Sequence, residues 1–185
     1  LIANAGVMAL PELRQIEGYE LQFFTNHIGH FALVTGLIDS LAADGRVVML
    51  SSGAHKMAPE AGIEFDNLSG ERGYDAWKAY GQSKLANLMF AGSLAKRFEG
   101  SSRTANSVHP GVIDTNLGRH VANRAEMYER LKPHLKTIPQ GASTQCLVAT
   151  HPSLASVSGF YFSDNQLLEP KHPMAKNDET AERLW

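Results

Sequence analysis

Two pairs of residues in this chain have the spacing of a tuned acid–base catalyst, a tyrosine followed four residues later by a lysine. They are Tyr80 with Lys84 and Tyr74 with Lys78. Residues four apart on an α-helix are neighbours, so each ammonium would lie beside a phenol. A cation about 5 Å from a phenol, at an effective dielectric of roughly 20, favours the phenolate by about two pKa units. A phenol tuned in this way can exchange protons near neutral pH.

The spacing alone is common by chance, so the neighbouring residues decide between the two pairs. Apolar residues at helical intervals follow the later pair, at Leu85, Leu88 and Met89. The earlier pair precedes this run and lacks a serine before its lysine, whereas Ser83 precedes Lys84. We therefore assign the chemistry to the later pair.

The composition argues against several functional classes. The 185 residues carry a formal net charge of −2 and no basic run, so no nucleic-acid surface is expected. No apolar stretch reaches the ~18 residues of a membrane span. His27 and His30 have no acidic or cysteine neighbour that would complete a metal site, so no metal is expected. Cys146, the single cysteine, lies in an apolar run and is predicted to be a buried structural thiol, which fits a reducing, cytoplasmic location.

Strands and helices alternate along the chain. The predicted strands are residues 1–3, 47–50, 104–108 and 159–162. The predicted helices are residues 19–45, 75–98 and 139–150, with one or two short helices within 116–138. Residues 53–73 lack periodicity and are predicted to form a long loop over the site. This order predicts an α/β fold, a doubly wound parallel sheet with helices on both faces.

The residues just past three predicted strands should meet in one crevice. They are Asn4-Ala5-Gly6, Ser51-Ser52 and Pro110-Gly111. In parallel sheets of this kind, ligands bind outside the carboxyl ends of the strands. The first turns of the helix that carries Tyr80 should reach the same place. The sequence therefore predicts a single site that combines these segments with Tyr80 and its lysine.

Five separate segments, in order along nearly the whole chain, resemble the short-chain dehydrogenase/reductase family. They are Asn4-Ala5-Gly6, Asn26, Ser52, Tyr80 with Ser83 and Lys84, and the segment 109–115 that begins His-Pro-Gly. Within the family, the retinol-dehydrogenase-like branch is the most similar. The segments that carry this second resemblance are 26–31, 51–55 and 83–87.

The resemblance implies a role for each of these residues. Tyr80 would donate or accept the proton at the substrate oxygen, and Lys84 would lower its pKa and hold the ribose of a nicotinamide cofactor, NADP or NAD. Ser52 would hydrogen-bond the substrate oxygen, and Asn26 would fix a water in a proton relay behind Lys84. The remaining cofactor-binding residues implied by the resemblance are Asn4, Ala5, Gly6, Pro110, Gly111, Ile113 and Thr115. Ser51 competes with Ser52, and the family pattern favours Ser52.

One family motif is missing from the sequence. The family's glycine-rich turn after its first strand has glycines two residues apart, and no two glycines of this chain have that spacing. The residue that distinguishes NAD from NADP would follow that turn. Residue 1 is a leucine that begins in the middle of a predicted strand. We therefore expect residues 1–185 to be the C-terminal two-thirds of a single NAD(P)-binding oxidoreductase domain, with the first strands absent and the fragment alone inactive.

The resemblance implies an oxidoreductase that moves a hydride between a nicotinamide cofactor and an alcohol/carbonyl pair, with a lipophilic alcohol, aldehyde or ketone as the substrate. Two other functions use related scaffolds. A sugar-nucleotide epimerase or dehydratase shares the tyrosine–lysine pair, and a non-catalytic nucleotide-binding or regulatory module shares the fold. The expected partner is a small-molecule substrate, and the long helices are candidates for a homo-oligomer interface.

Overall fold

The computed structural model describes residues 1–185 and contains a central sheet of five strands flanked by helices. The nine strands of the chain are β1 (Ile2–Ala3), β2 (Gln15–Ile16), β3 (Tyr19–Glu20), β4 (Arg46–Leu50), β5 (Thr104–His109), β6 (Val112–Ile113), β7 (Leu135–Lys136), β8 (Tyr161–Ser163) and β9 (Gln166–Leu168). Four of them form two separate two-stranded sheets, β2 with β3 and β6 with β7. The α-helices are α1 (Leu21–Phe23), α2 (Gly29–Leu37), α3 (Ala76–Arg97), α4 (Arg124–Leu131), α5 (Ile138–Thr150) and α6 (Asp178–Leu184). The sheet has the strand order β1-β4-β5-β8-β9, in which the first four strands are parallel and β9 is antiparallel. The predicted α/β class is confirmed.

The middle of the sheet is covered on both faces, which explains the unbroken apolar run at residues 47–50 of β4. Val47 and Met49 are fully buried against helices α2 and α3 on one face. Val48, also fully buried, points to the other face and packs with Val148 of α5. Each buried side chain of this size contributes about 1.5–3 kcal/mol to folding. The alternation of strand side chains therefore ties α3 and α5 to opposite sides of the strand that ends at the site.

Helix α3 forms close to where it is predicted. The Asp75 side chain caps its N-terminus by accepting hydrogen bonds from the backbone N–H groups of Trp77 and Lys78. Asp75 itself has extended backbone angles, so Tyr74 lies outside the helix. Because α3 is largely buried between the sheet and the C-terminal segment, its polar side chains must find partners inside the protein.

The single helix predicted over residues 19–45 is in fact divided. α1 runs directly into a π-helical turn, Phe24–Ile28, and α2 follows it. In the π turn the N–H of Gly29 bonds to the carbonyl of Phe24, so the turn holds one residue more than an α-helical turn. Asn26 stands in this turn. The helical stretch ends in a 3₁₀ turn, Ile38–Ser40, five residues earlier than predicted.

The C-terminal half also differs from the prediction. β8 begins two residues later than expected and returns as β9 through a two-residue hairpin. Asp164 and Asn165 form its tip, with φ angles of 53° and 60° that match a type I′ turn. The sequence analysis missed β9 because neither tip residue is a glycine. Residues 116–138 contain α4, two 3₁₀ turns and the short strand β7.

The prediction for Cys146 is wrong, because its side chain is exposed. Gly141, Thr144 and Val148 form the buried face of α5, and Cys146 lies on the opposite face. An apolar run on a helix fills both faces, so the run alone does not specify which member is buried. None of the helices combines the length and the apolar character that crossing a bilayer requires.

Candidate active site

The carboxyl ends of β1, β4 and β5 meet, as their parallel pairing requires. Three close approaches tie the segments after β1 and β4 to the end of β5 and to α3. The Ser51 N–H donates to the carbonyl of Val108 at 2.9 Å, and the Gly53 N–H donates to Nδ1 of His109 at 3.0 Å. A Cβ atom on Gly6 would lie 3.6 Å from Nζ of Lys84, so the segment after β1 reaches α3. The predicted convergence of these strand ends is present, and we call the space outside them the crevice.

Tyr80 lies in this crevice with 4% of its surface exposed. Burial raises the pKa of its phenol to about 12, because the phenolate would lose its hydration. The Ser52 hydroxyl is close enough to act as a hydrogen-bond partner that lowers the same pKa, whereas the phenol of Tyr128 raises it. Tyr80 is therefore protonated at neutral pH.

Lys84 is a buried cation with a lowered pKa. Only 5% of its surface is exposed, and burial lowers its pKa to about 8. Its ammonium donates to the carbonyl of Leu50 at 3.1 Å and lies 5.6 Å from the centre of the Tyr80 ring. No carboxylate forms an ion pair with it. A buried ammonium with one carbonyl partner has donors left for hydroxyl or phosphate oxygens of a ligand.

The spacing of Tyr80 and Lys84 predicts a lowered phenol pKa, and the structure gives the opposite net direction. The spacing argument treated the pair as if it lay near the surface, with only the attraction between the charges to consider. In the crevice both groups lose water, and loss of hydration is the largest influence on each pKa.

Asn26 connects the segment after β1 to α3. Its side-chain amide donates to the carbonyl of Val7 at 2.9 Å and to Oγ of Ser83 at 3.0 Å, and its Oδ1 accepts from the Val7 N–H at 2.8 Å. The side chain is fully buried. A Cβ atom on Gly6 would lie 3.0 Å from Oδ1 of Asn26, so glycine at that position lets the backbone pass close to the amide.

Asn87 is a site residue that the sequence analysis missed. Its amide donates to the carbonyls of Asn26 and Leu50, at 2.9 and 3.0 Å. Its Oδ1 accepts from Nδ1 of His27 at 3.2 Å, and burial lowers the pKa of His27 to about 4. The signal was available, because Asn87 is one turn along from Ser83 in an otherwise apolar stretch of helix. His27 is thus buried in a polar network and does not face the solvent.

The two candidate serines have different surroundings. Ser51 is 2% exposed, and its hydroxyl donates to the backbone carbonyl of Lys84 at 2.8 Å, which ties β4 to α3. Ser52 is partly exposed, accepts from the N–H of Ala54 at 3.1 Å and lies beside the phenol of Tyr80. Of the two hydroxyls, that of Ser52 faces the crevice.

The segment after β5 provides the other side of the crevice. Gly111 has a φ angle of 93°, which few other residues adopt, and a Cβ there would lie 2.6 Å from the side chain of Lys136. Lys136, which sequence reasoning did not identify, donates to the carbonyl of Pro110 at 3.4 Å and forms an ion pair with Asp164. Its position across the Pro110-Gly111 turn places a cation at the edge of the crevice.

The other predicted cofactor-binding residues lie at the ends of the same strands. Asn4 and Ala5 are exposed directly after β1. Ile113 belongs to β6. Its side chain lies so close to Gly141 that a Cβ atom added to this glycine would be 2.6 Å from it. Thr115 caps the 3₁₀ turn Asn116–His120 by accepting from the N–H of Leu117. Exposed backbone at Asn4 and Ala5, close passage at Gly6 and unpaired donors on Lys84 fit a nucleotide.

Comparison with known proteins gives a consistent family. A family model described as short chain dehydrogenase matches residues 1–126. The chain is 44% identical to Short-chain dehydrogenase TIC 32 A, chloroplastic, from Brassica napus, and 42% identical to Retinol dehydrogenase 12 from Mus musculus. Each alignment covers 100% of this chain, with 61% of the first relative and 58% of the second. The chain therefore spans about three-fifths of these relatives.

Two solved structures resemble the fold. A crystal structure of an uncharacterized protein from Mycobacterium Paratuberculosis has a TM-score of 0.75 and 31% identity, covering 100% of this chain and 63% of that one. The angucycline C-6 ketoreductase LanV with bound NADP has a TM-score of 0.67 and 22% identity, covering 88% of this chain and 59% of that one. At this identity the second match shows the fold alone.

This chain belongs to the short chain dehydrogenase family, a family of oxidoreductases. Its sheet order, its buried tyrosine and lysine on α3 and its converging strand ends are consistent with that membership.

Proposed function

We propose that this protein is an NAD(P)-dependent oxidoreductase that transfers a hydride between a nicotinamide cofactor and an alcohol/carbonyl pair. The similarity to Retinol dehydrogenase 12 supports a lipophilic alcohol, aldehyde or ketone as the substrate. Membership of the short chain dehydrogenase family supports a nicotinamide cofactor, with NADP(H) and NAD(H) as the alternatives. We also propose that residues 1–185 form the C-terminal two-thirds of one such domain, which the coverage of the relatives supports.

The single observation that carries this proposal is the buried ammonium of Lys84 beside Tyr80. An uncompensated buried charge is costly, and a protein that retains one usually has a functional reason for it. No carboxylate of the chain pairs with this ammonium. Ribose hydroxyls could accept hydrogen bonds from the free N–H groups of Lys84. The charge of Lys84 would then also lie next to the Tyr80 phenol, which exchanges protons.

In this proposal each residue of the crevice has a defined role. Tyr80, protonated at neutral pH, gives its phenolic proton to the carbonyl oxygen of the substrate during reduction and takes it back during oxidation. Ser52 donates a hydrogen bond to the same oxygen. Lys84 holds the cofactor and replaces the lost proton, with Asn26 ordering the relay behind it. The cofactor, when bound, supplies or accepts the hydride.

The proposed cofactor contacts follow the strand ends. The residues assigned to this surface are Asn4, Ala5, Gly6, Tyr80, Lys84, Pro110, Gly111, Ile113 and Thr115. Small residues at positions 5, 6 and 111 allow backbone and ligand to approach closely. Homo-oligomerisation through the long helices stays a prediction.

The test is a turnover assay on the intact protein with NADPH and NADH, following nicotinamide absorbance. Lipophilic aldehydes should be reduced with a higher kcat/KM than short polar ones. Ser52→Ala should lower kcat and Ser51→Ala should leave it within a few-fold, because only the Ser52 hydroxyl faces the crevice. Cofactor binding without turnover of any carbonyl would instead support a non-catalytic module.

A further inference from the structure

The peptide group between Ser52 and Gly53 is hydrogen-bonded to two histidine rings, one at its carbonyl oxygen and one at its N–H. Its carbonyl oxygen accepts a hydrogen bond from Nδ1 of His55 at 2.6 Å. Its N–H donates to Nδ1 of His109 at 3.0 Å. His55 lies in the 3₁₀ turn Gly53–Met57, and His109 is the last residue of β5, 56 residues from Gly53.

The partners of each ring fix which nitrogen carries the proton. A carbonyl oxygen only accepts, so Nδ1 of His55 is protonated and its Nε2 accepts the backbone N–H of Lys171 at 3.0 Å. Nδ1 of His109 accepts from Gly53, so in the neutral ring the proton is on Nε2. Burial is the main cause that lowers the pKa of both rings, that of His109 to about 4, so both are neutral at pH 7.

The surroundings keep both rings in place. His55 is 2% exposed and lies edge-on to Tyr161 at 5.2 Å between ring centres. A Cβ atom on Gly53 would lie 3.2 Å from the His109 ring, so glycine at this position lets the imidazole approach the peptide. Ser52 also accepts through its hydroxyl from the N–H of Ala54. The Ser52-Gly53 peptide is thus held by the two imidazoles and by the backbone N–H of His55, which also donates to the Ser52 carbonyl at 3.0 Å.

We propose that His55 and His109 are positioning residues that act together as a clamp on Ser52. By fixing the peptide that follows Ser52, they fix the direction of its hydroxyl towards Tyr80. Neither ring needs to touch the substrate for this effect. The inference rests on the proposed role of Ser52 as the residue that hydrogen-bonds the substrate oxygen.

The clamp makes a quantitative prediction for each histidine. His109→Leu removes the acceptor of the Gly53 N–H. His55→Leu removes the imidazole donor to the Ser52 carbonyl and leaves only the backbone N–H of residue 55, which also donates to it at 3.0 Å. We expect kcat to fall about tenfold in each, since a displacement of about 1 Å at a reacting group can cost ~10²-fold. The cofactor KM should change less than kcat. His109→Asn should recover most of the loss, because its carboxamide oxygen can accept where Nδ1 did.

The matched control is His172, a third buried histidine near the same C-terminal segment. It is 6% exposed, its Nε2 donates to the carbonyl of Pro59 and its Nδ1 accepts from the N–H of Met174. It makes no hydrogen bond to Ser52. His172→Leu should lower the melting temperature about as much as His109→Leu, with kcat within about twofold of the wild type.

The decisive experiment repeats His109→Leu and His55→Leu in a Ser52→Ala background. If the rings act through Ser52, each should then lower kcat by less than twofold, since their target is already gone. The same tenfold losses in both backgrounds, or equal kcat for His109→Leu and His109→Asn, would overturn the clamp.

A measurement without catalysis separates this inference from the proposed function. In ¹⁵N-labelled protein, imidazole spectra should show His55 protonated at Nδ1 and His109 at Nε2, and the Gly53 amide should exchange slowly with water. Faster Gly53 exchange in His109→Leu supports the clamp even if no carbonyl substrate is turned over. The opposite tautomers, or unchanged Gly53 exchange in that variant, would reject it whatever the turnover assay gives.

Discussion

Two copies of the same short pattern, six residues apart, occupy quite different environments. Tyr80 and Lys84 lie on one face of α3 and are 4% and 5% exposed. Tyr74 precedes the cap of that helix, and Lys78 in its first turn is exposed. The four-residue spacing brings side chains together only if both residues are helical, so the earlier pair never forms.

The two tyrosines also have different partners. Tyr74 donates its hydroxyl proton to the carbonyl of Leu10 at 2.7 Å and accepts from the side-chain amide of Gln22 at 3.0 Å. The first bond holds the loop after β1 against the start of α3, and the second holds α1 there. The Tyr80 phenol instead lies beside Ser52 at the open end of the sheet. Burial raises the pKa of both to about 12, so the pKa alone does not separate a structural tyrosine from a candidate proton donor.

The largest expected difference between the two pairs is in turnover. Tyr80→Phe should lower kcat by about 10²–10⁴-fold, the range typical for loss of a general acid–base group. Tyr74→Phe should keep kcat within a few-fold but cost about 1 kcal/mol of stability, because two hydrogen bonds are lost. Steady-state kinetics and urea unfolding of both variants measure this. A collapse of kcat in Tyr74→Phe alone would transfer the assignment to the earlier pair.

The second difference concerns the lysines. Replacing Lys84 should have opposite effects on activity and on stability. Lys84→Met should lower kcat and raise the cofactor KM, yet stabilise the folded protein at pH 7. The folded pKa of about 8 lies below the 10.5 of an unperturbed lysine, so below pH 8 the buried charge costs on the order of 3 kcal/mol. That cost disappears as the pH rises from about 8 towards 10.5, where the unfolded state binds more protons.

Urea unfolding of wild type and Lys84→Met at pH 7 and pH 10 measures this effect. The difference in unfolding free energy between Lys84→Met and the wild type should be smaller at pH 10 than at pH 7. Lys78→Met, at the exposed position, should change stability by less than about 0.5 kcal/mol at either pH. A Lys84→Met variant less stable than the wild type at pH 7 would contradict the account of an uncompensated charge.

The third prediction concerns stability at acidic pH, which should depend on His27 and its partner Asn87 behind Tyr80. The pKa of His27 is lowered from 6.5 to about 4, so between these values the unfolded chain binds more protons than the folded one. Stability is therefore complete above pH 6.5 and is lost as the pH falls towards 4. His27→Asn, which keeps a donor for Asn87, should flatten this slope, whereas Tyr74→Phe should leave it unchanged. Unfolding free energies from pH 7 to 4 measure both, and equal slopes in wild type and His27→Asn would exclude His27 as a source.

The smallest expected effect is at the boundary between the two pairs. Asp75→Ala removes the side chain that caps α3 and should cost about 1 kcal/mol of stability. Because Tyr80 lies beyond the first turn of the helix, kcat should stay within about twofold. Thermal unfolding and kinetics of this variant check both values. A large loss of kcat would mean that fraying of the first turn reaches the site.

Most of the architecture could be predicted from the sequence, because it depends on local patterns. The apolar run of β4, the periodicity of α3 and the order of the elements are fixed by neighbours in the chain. Once strands are parallel, their carboxyl ends must lie at one edge, so the convergence of Gly6, Ser52 and Pro110 followed without coordinates. The π turn at Asn26 and the β9 hairpin were missed, because no residue type marks the first and no glycine marks the second.

The sequence by itself determined the fold class and the family. Only the tertiary structure decided how those residues behave, because burial and hydrogen bonding join positions that are far apart in the chain. Tyr74 bonds to a carbonyl 64 residues away, and His55 to a backbone N–H 116 residues away. The net direction of the Tyr80 pKa and the clamp around Ser52 depend on such contacts. Spacing along a helix specifies which groups can meet, and the loss of water around them sets their chemistry.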